Sequence, residues 1–431
     1  MNKGSRRPAT IKSPAKPRLH DVLGPGLITG ASDDDPSGIA TYSQAGAQFG
    51  YTLGWTLLLT YPLMCAIQMI SAEVGRVTGQ GLAKNMRRHY PAPVLYLLVG
   101  LLLVANTINL GADLGAMAAA VRLLIPGPAV LYVGGFAIIT VVLEVFTSYS
   151  RYASILRWLT LSLFAYVATV FAVGVPWLTV GRNLVLPHLE FSGGYFTVVV
   201  AVFGTTISPY LFFWQAAEEV EDERKNPKAK PLVKAPEQAP SELARIQLDT
   251  LVGMAFSNII ALFILLTTAA TLNAHGIKDI QTSAQAAEAL RPIAGEFAFV
   301  VFALGIVGTG MLAVPVLAGS AAYALGEALR WRVGLSQKPR RAKAFYGAIA
   351  AATLVGAAIN FSPLDPIKAL FWSAVINGVA AVPIMIMIMH LSSRRAVMGQ
   401  FILGPGLKTF GWLATAVMAA AAIGMFATWG D

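Results

Sequence analysis

The 431-residue sequence predicts an all-α, polytopic membrane protein, and three of its features support this fold class. Only 13% of the residues are charged and 56% are hydrophobic, whereas soluble domains carry about 25% charged residues. The hydrophobic residues gather in about eleven segments, each long enough to cross a bilayer as a helix. Two of these segments, the first and the sixth, are interrupted by proline and polar residues.

The eleven predicted spans lie near residues 22–46, 51–75, 93–121, 130–147, 154–175, 194–217, 246–271, 296–326, 344–361, 366–390 and 407–429. Their orientation follows from lysine and arginine, which are enriched in cytoplasmic loops. With a cytoplasmic N-terminus, the inner side holds 27 of the 32 basic residues. The sequence therefore predicts a multi-pass protein of the plasma (inner) membrane, with the lipid bilayer as a partner. The net charge of +10 needs no nucleic acid to explain it.

The predicted domain organisation has three parts. Residues 1–21 form a basic cytoplasmic tail, residues 22–392 a transmembrane core, and residues 393–431 an accessory eleventh helix. The core divides into a first repeat at about 22–175 and a second at about 194–392. The polar, charged stretch at about 218–245 predicts a cytoplasmic and mostly disordered loop.

The first predicted span contains the run Asp33-Asp34-Asp35-Pro36-Ser37-Gly38 inside an otherwise apolar segment. A charged side chain in the bilayer core is costly, so intramembrane acids are functional candidates. Proline removes a backbone donor and disfavours helical geometry at the preceding residue, here Asp35. The run predicts a helix broken at mid-membrane, with free carbonyl groups and a carboxylate facing a cavity that suits a cation.

The sixth predicted span contains a second interruption, Gly204-Thr205-Thr206-Ile207-Ser208-Pro209-Tyr210. By itself this run fits a simple proline kink as well as it fits a broken helix. Paired interruptions in the two halves of a chain are the sequence indication of an inverted-repeat membrane protein. We therefore predict a 5+5 inverted repeat with discontinuous first and sixth helices.

Other polar residues within the spans have less specific interpretations. Asp113 is predicted to line a cavity or ion pathway, with a buried structural aspartate as the alternative. Asn377 offers a carbonyl oxygen to an ion or joins two helices. Glu73 and Glu144 lie close to the predicted inner ends and are expected to be structural, and Asp365 before a proline predicts an N-cap.

Several functional classes are disfavoured by the sequence. It contains no phosphate-binding loop, so ATP is not implied. None of the five histidines forms a pair with metal-ligand spacing, which argues against a zinc hydrolase, and we expect no enzyme activity. The single cysteine, Cys65, lies in an apolar run and is expected to be a packed thiol.

Four motifs resemble the NRAMP divalent-metal transporters. They are Gly24-Pro25-Gly26, Asp35-Pro36, the run from Ser71 to Ala83, and Ala112-Asp113-Leu114. The resemblance extends over nearly the whole chain and implies a LeuT-like fold. It also implies a metal site at the two helix breaks.

The departures from the family pattern are informative. The family's Asp-Pro-Gly-Asn reads Asp35-Pro36-Ser37-Gly38 here, and its Met-Pro-His reads Ser208-Pro209-Tyr210. Its Asp-Leu-Ala-Glu reads Asp113-Leu114-Gly115-Ala116. An asparagine ligand, a thioether ligand and two titratable groups of the proton route are therefore absent. This set resembles the divergent, NRAMP-related magnesium transporters, and an oxygen-only site also favours magnesium over softer metals.

The sequence thus predicts a secondary transporter or facilitator of divalent cations by alternating access, with magnesium favoured, manganese next, and weak or no proton coupling. The cation is the substrate and no cofactor is implied. The predicted metal-site residues are Asp35, Gly38 (by leaving space), Ile207 and Ser208, and those lining the pathway or supporting the site are Asp34, Asp113, Thr206, Tyr210 and Asn377. The alternatives are a proton-coupled manganese or iron symporter, a carrier of small organic cations, and a non-transporting membrane sensor or scaffold.

Overall fold

The computed structural model describes residues 25–147, 159–362 and 364–430. All regular secondary structure in these residues is helical. The predicted basic tail, residues 1–21, lies outside the described residues, as does the start of the fifth predicted span. The helices of the first half are α1 (Pro25–Asp33), α2 (Pro36–Phe49), α3 (Gly54–Thr78), α4 (Leu82–His89), α5 (Ala92–Arg122), α6 (Ala129–Phe146), α7 (Phe164–Ala172) and α8 (Trp177–Val185).

The helices of the second half follow a similar order of lengths. They are α9 (Gly193–Thr206), α10 (Pro209–Lys225), α11 (Ala239–Thr271), α12 (Ser283–Glu288), α13 (Arg291–Ala294), α14 (Ala298–Ala328), α15 (Lys343–Ile359), α16 (Pro366–Ser392), α17 (Arg395–Met398) and α18 (Pro405–Ala427).

Each of the eleven predicted spans corresponds to one or two of these helices. Among the described residues, eight segments are long and apolar enough to cross a membrane, and a bent pair that contains α7 and α8 makes a ninth. One of these eight segments contains both α2 of the first predicted span and α3 of the second, because a 3-10 turn at Gly50–Leu53 joins the two helices. The ninth predicted span, α15, has 17 residues and is not among these eight segments.

Both predicted helix breaks are present. The break between α1 and α2 ends in Asp35, which has extended backbone angles (φ −72°, ψ 170°) and is the N-cap of α2. The break between α9 and α10 ends in Ser208, with φ −75° and ψ 128°. Pro36 and Pro209 then begin the next helix, where the missing N–H costs nothing and the ring holds the preceding residue extended.

The connection between the sixth and seventh spans differs from the prediction. Helix α10 continues through the acidic run to Lys225 and α11 begins at Ala239, so the connection is residues 226–238 rather than about 218–245. It is also ordered, because Leu232 N and Val233 N donate to the carbonyls of Arg76 and Val77 at 3.3 and 3.2 Å.

Arg76 explains why this charged segment is ordered. Its buried guanidinium lies 3.3 Å from Glu223 Oε2 and 3.2 Å from Glu242 Oε2. It also donates to Lys230 O at 2.6 Å and to Gln238 Oε1 at 3.2 Å. The prediction of disorder was wrong because the charges of this segment pair with a residue on α3, about 150 positions earlier.

The two halves pack in a reciprocal manner. The first span (α1 and α2) packs against α11 of the seventh, while α10 of the sixth packs against α3 of the second. Likewise α5 of the third span packs against α16 of the tenth, while α14 of the eighth packs against the 3-10 turn Leu159–Leu163 of the fifth. Exchanging the two halves of the chain interchanges these pairs, as the predicted 5+5 repeat requires. Helix α18 lies outside this pattern, against α3, α9 and α16.

Candidate functional site

The two helix breaks meet inside the bundle. The hydroxyl of Tyr210, at the start of α10, lies 3.3 Å from the carbonyl oxygen of Ser32 and 3.4 Å from Asp35 Oδ2, and can donate its hydrogen to either. Gly38 faces the other break, since a Cβ added there would stand 3.3 Å from Thr205 Oγ1. Gly38 therefore lies at the contact between the two breaks, where an added Cβ would be in tight contact with Thr205.

Asp35 is held by hydrogen bonds from three directions. Its Oδ1 accepts from Gly38 N at 2.7 Å, which caps α2. Its Oδ2 accepts from Asn109 Nδ2 at 3.0 Å and lies 3.4 Å from the Tyr210 hydroxyl. Because the side chain is only 2% exposed, this carboxylate is fixed in orientation and shielded from both sides of the bundle. It also lies at the N-terminus of α2, where the helix dipole stabilises negative charge.

Asn109 connects four of the residues around the breaks, and the sequence analysis did not assign it to the site. Its amide nitrogen contacts Asp35 Oδ2 and, at 3.4 Å, Asp113 Oδ2. Its carbonyl oxygen accepts from Ser373 Oγ at 2.8 Å and from Asn377 Nδ2 at 3.4 Å. A local signal existed, because Asn109 precedes Asp113 by four residues and so shares its face of α5.

Asp113 and Asn377 lie within this network but do not contact Asp35 directly. Asp113 is fully buried, and its Oδ1 has no hydrogen-bond partner among the described residues. The side-chain oxygen of Asn377 is likewise buried and unpaired in the described part of the chain. Each therefore has a buried oxygen atom without a partner in the described residues, and the pathway role of both stays a prediction.

Asp33 and Asp34 point to a different partner. Ser257 on α11 donates to Asp33 Oδ2 at 2.7 Å and lies 3.0 Å from Asp34 Oδ1. One hydroxyl hydrogen cannot serve both acceptors at once. Both side chains are buried, so this side of the break holds two further carboxyl groups beside that of Asp35. The sequence pointed to Asp34 as an indirect ligand but gave no indication of Ser257.

The second break offers oxygen atoms from its backbone and side chains. Ile207 ends α9, where the carbonyls of the last turn lack partners within the helix. The Ser208 hydroxyl lies 2.9 and 2.8 Å from the carbonyl oxygens of Gly204 and Thr205 and can donate its one hydrogen to either, so its lone pairs remain available as acceptors. The hydroxyl of Thr206 bonds to Val202 O and faces back along its own helix.

No group of three or more His, Cys, Asp or Glu side chains in the described residues is arranged to hold a metal ion. A cation between the breaks would therefore meet one carboxylate, Asp35, together with carbonyl and hydroxyl oxygens. Hard cations such as Mg²⁺ use this kind of donor set and keep several of their waters.

Residues 26–428 match the family described as natural resistance-associated macrophage protein-like, or Nramp. The chain belongs to the Nramp family. Two similar relatives of the Nramp chain are named divalent metal cation transporter MntH. That of Yersinia pestis (strain Pestoides F) is 25% identical over 318 residues, 70% of this chain and 71% of the relative. That of Pectobacterium carotovorum subsp. carotovorum (strain PC1) is 23% identical over 411 residues, 94% and 93% of the two chains.

Solved structures confirm the LeuT-like fold of this Nramp chain. The manganese transporter of Eremococcus coleocola, crystallised with an aromatic bis-isothiourea compound, superimposes with a TM-score of 0.75 at 18% identity, covering 98% of this chain and 91% of the other. Mhp1, a nucleobase-cation-symport-1 family transporter in a closed conformation, gives 0.55 at 14% identity, covering 95% and 93%. These relatives are named as transporters, in agreement with the prediction that the chain is not an enzyme.

Proposed function

We propose that this chain carries a divalent metal cation across the inner membrane, with the cation as substrate and Asp35 as its anionic ligand. The supporting observation is that one buried, three-fold hydrogen-bonded carboxylate lies where two helix breaks meet. A cation at this point would be stabilised by the carboxylate and by carbonyl oxygens at the end of α9. Names such as divalent metal cation transporter among the relatives agree with this proposal.

The transport mode that we propose is alternating access. Asp35 and Ser208 are both buried, so the site is closed to both ends of the bundle in this conformation. At the predicted outer end, Gln44 of α2 closes the path by accepting from Ile280 N at 2.9 Å and donating to Lys278 O at 3.1 Å. At the predicted cytoplasmic end, the ion pairs of Arg76 hold α3, α10 and α11 together. Opening one end while the other stays closed would release the cation on one side only.

Magnesium is the cation that the residues at the breaks favour. Asp35, Ile207 and Ser208 offer oxygen donors, and Gly38 adds no side chain between the two breaks. Magnesium dehydrates reluctantly and is commonly bound by one or two carboxylates and several waters. The side chains at the four predicted metal-site positions include no sulfur, which softer transition metals prefer.

A proton-coupled manganese or iron symporter is the second candidate, and two observations favour it. Met117 and Pro36 both pack against Gly310, where an added Cβ would stand 2.5 Å from Met117 Sδ and 3.2 Å from Pro36 Cγ. A thioether therefore lies beside the first break. In addition, the unpaired Oδ1 of Asp113 gives the network a buried group that could take a proton.

Uptake into proteoliposomes distinguishes these candidates. We expect Mg²⁺ influx driven by an inside-negative potential, since each charge gains about 2.3 kcal/mol per 100 mV. Because Tyr210 and Ala116 stand where the family has titratable residues, we expect no matching acidification of the lumen. If micromolar Mn²⁺ entered, millimolar Mg²⁺ did not compete and the lumen acidified in step, the symporter would be correct and the magnesium proposal wrong.

Asp35→Asn tests the site itself, and Asp365→Asn is a matched control. Both aspartates are N-caps followed by a proline, and both accept a backbone N–H with a side-chain oxygen. Asparagine also caps helices well, so both variants should fold. We expect Asp35→Asn to abolish influx and Asp365→Asn to retain it. Unchanged influx in Asp35→Asn would exclude Asp35 as the ligand, and absence of influx in the unmodified protein would favour a sensor or scaffold.

A further inference from the structure

A second cavity, separate from the helix breaks, lies between α3, the first turns of α11 and the segment that leads into α18. Its volume is about 780 Å³, and none of its lining residues belongs to the Asp35 network. Along α3 the lining extends from Tyr61 to Glu73. Twelve residues of helix correspond to about 18 Å, close to the depth of one leaflet of a hydrocarbon core that is about 30 Å thick.

The walls of this cavity are mostly apolar, with one ionisable group at one end. Cys65, Met69, Leu251 and Phe410 are among the apolar lining residues. Glu73 is the acidic residue of the lining, one turn before Arg76 and hence at the predicted cytoplasmic end of α3. The cavity is thus long and apolar, with a carboxylate at the level of the membrane surface.

Glu73 is half-buried and has no hydrogen-bond or ion-pair partner among the described residues. The nearest basic residue along the helix, Arg76, is already paired with Glu223 and Glu242. An ionised carboxylate against apolar walls is costly unless a cation compensates it. A positively charged group from outside the described residues would complete the site.

We propose that this cavity binds one phospholipid of the cytoplasmic leaflet with a primary-amine headgroup. The ammonium group donates to the Glu73 carboxylate in a charge-assisted hydrogen bond, and one acyl chain lies along α3 past Met69 and Cys65. The charge of Glu73 selects an amine-headed lipid and repels an anionic lipid without an amine. The apolar wall is about as long as one leaflet is deep, so it favours a lipid with an acyl chain over a small amine. This site requires only that the chain spans a membrane, and it is independent of which cation is carried.

Titration of the purified full-length protein with defined lipids, followed by native mass spectrometry, tests the site. The probes are dioleoyl phosphatidylethanolamine and dioleoyl phosphatidylglycerol, which have the same acyl chains and differ in the headgroup. We expect the unmodified protein to bind the ethanolamine lipid at least tenfold more tightly. Glu73→Gln should remove that preference, whereas Glu237→Gln, which removes an exposed charge from the connection 226–238, should retain it.

Three results would overturn the proposal: no headgroup preference in the unmodified protein, an unchanged preference in Glu73→Gln, or binding of a long-chain alkylamine but not of the ethanolamine lipid. A second variant addresses the apolar part and keeps the charge. Ala66 lines the cavity, so Ala66→Phe should fill it and weaken both lipids equally. If Ala66→Phe left both affinities unchanged, the lipid would bind elsewhere. The apparent melting temperature of each variant without added lipid shows whether it is folded.

Discussion

Replacing Asn109 by alanine tests whether the network around the breaks orients the metal ligand. Asn109 Nδ2 donates to Asp35 Oδ2 at 3.0 Å, while the other contact of that oxygen, with the Tyr210 hydroxyl, is long at 3.4 Å. Without Asn109 the carboxylate can rotate about its remaining bond to Gly38 N. It would then lose the preorganised orientation on which tight binding depends.

The expected magnitude follows from the type of bond that is lost. A hydrogen bond to a charged group contributes about 1.5–3 kcal/mol. If that contribution serves to orient the ligand, the apparent affinity for the transported cation should fall about 10- to 150-fold. The assay is the concentration dependence of Mg²⁺ and Mn²⁺ influx into proteoliposomes, with KM and maximal rate determined separately. We expect KM to rise for both cations.

Asn106→Ala is the matched control. Asn106 lies on the same helix, is also buried, and donates to Leu317 O at 3.0 Å and Ser320 Oγ at 2.8 Å, away from the acids. Both variants lose a buried amide and should lower the thermal stability similarly, but Asn106→Ala should leave KM unchanged. Equal KM values in the two variants would refute the reasoning, because the effect would then come from packing of α5 rather than from Asp35.

Two further predictions concern the ends of the bundle. Arg76→Gln removes one partner of a buried ion-pair network and should lower the free energy of unfolding by about 3–5 kcal/mol. Thermal unfolding in detergent measures it, and a shift no larger than that of the exposed Arg88→Gln would contradict it. Gln44→Ala removes its two bonds to Lys278 and Ile280, worth about 0.5–1.5 kcal/mol each, so hydrogen exchange at Ile280 should accelerate about 5- to 150-fold. Unchanged exchange there would show that Gln44 does not close the outer end.

The positions of the helices could be predicted from the sequence because the signals that set them are local. A hydrophobic run of sufficient length specifies a span wherever it occurs, and a proline fixes the backbone of the residue before it. The breaks at Asp35 and Ser208 therefore appear where the sequence places them. The capping role of Asp365 was likewise confirmed, since it accepts from Ile367 N at 2.9 Å. The predicted repeat followed from comparing two such local signals.

The connection 226–238 shows where local reasoning failed. Its composition of lysine, proline and acidic neighbours is typical of a disordered loop. Its order depends on Arg76, which donates to Lys230 O across 154 positions of sequence. Composition describes what a segment can do alone, whereas a buried guanidinium from another helix supplies the missing partner.

By itself, the sequence determined that the chain is a helical membrane protein with two paired breaks and an acid at the first. Only the tertiary structure decided which side chains complete the site. Asn109 meets Asp35 across 74 positions, and Ser257 meets Asp33 across 224. The physical reason is that a carboxylate buried in a membrane bundle must find donors, and which donors are within reach depends on how separate helices pack. Helix packing is a property of the whole fold, so the sequence around Asp35 does not predict those partners.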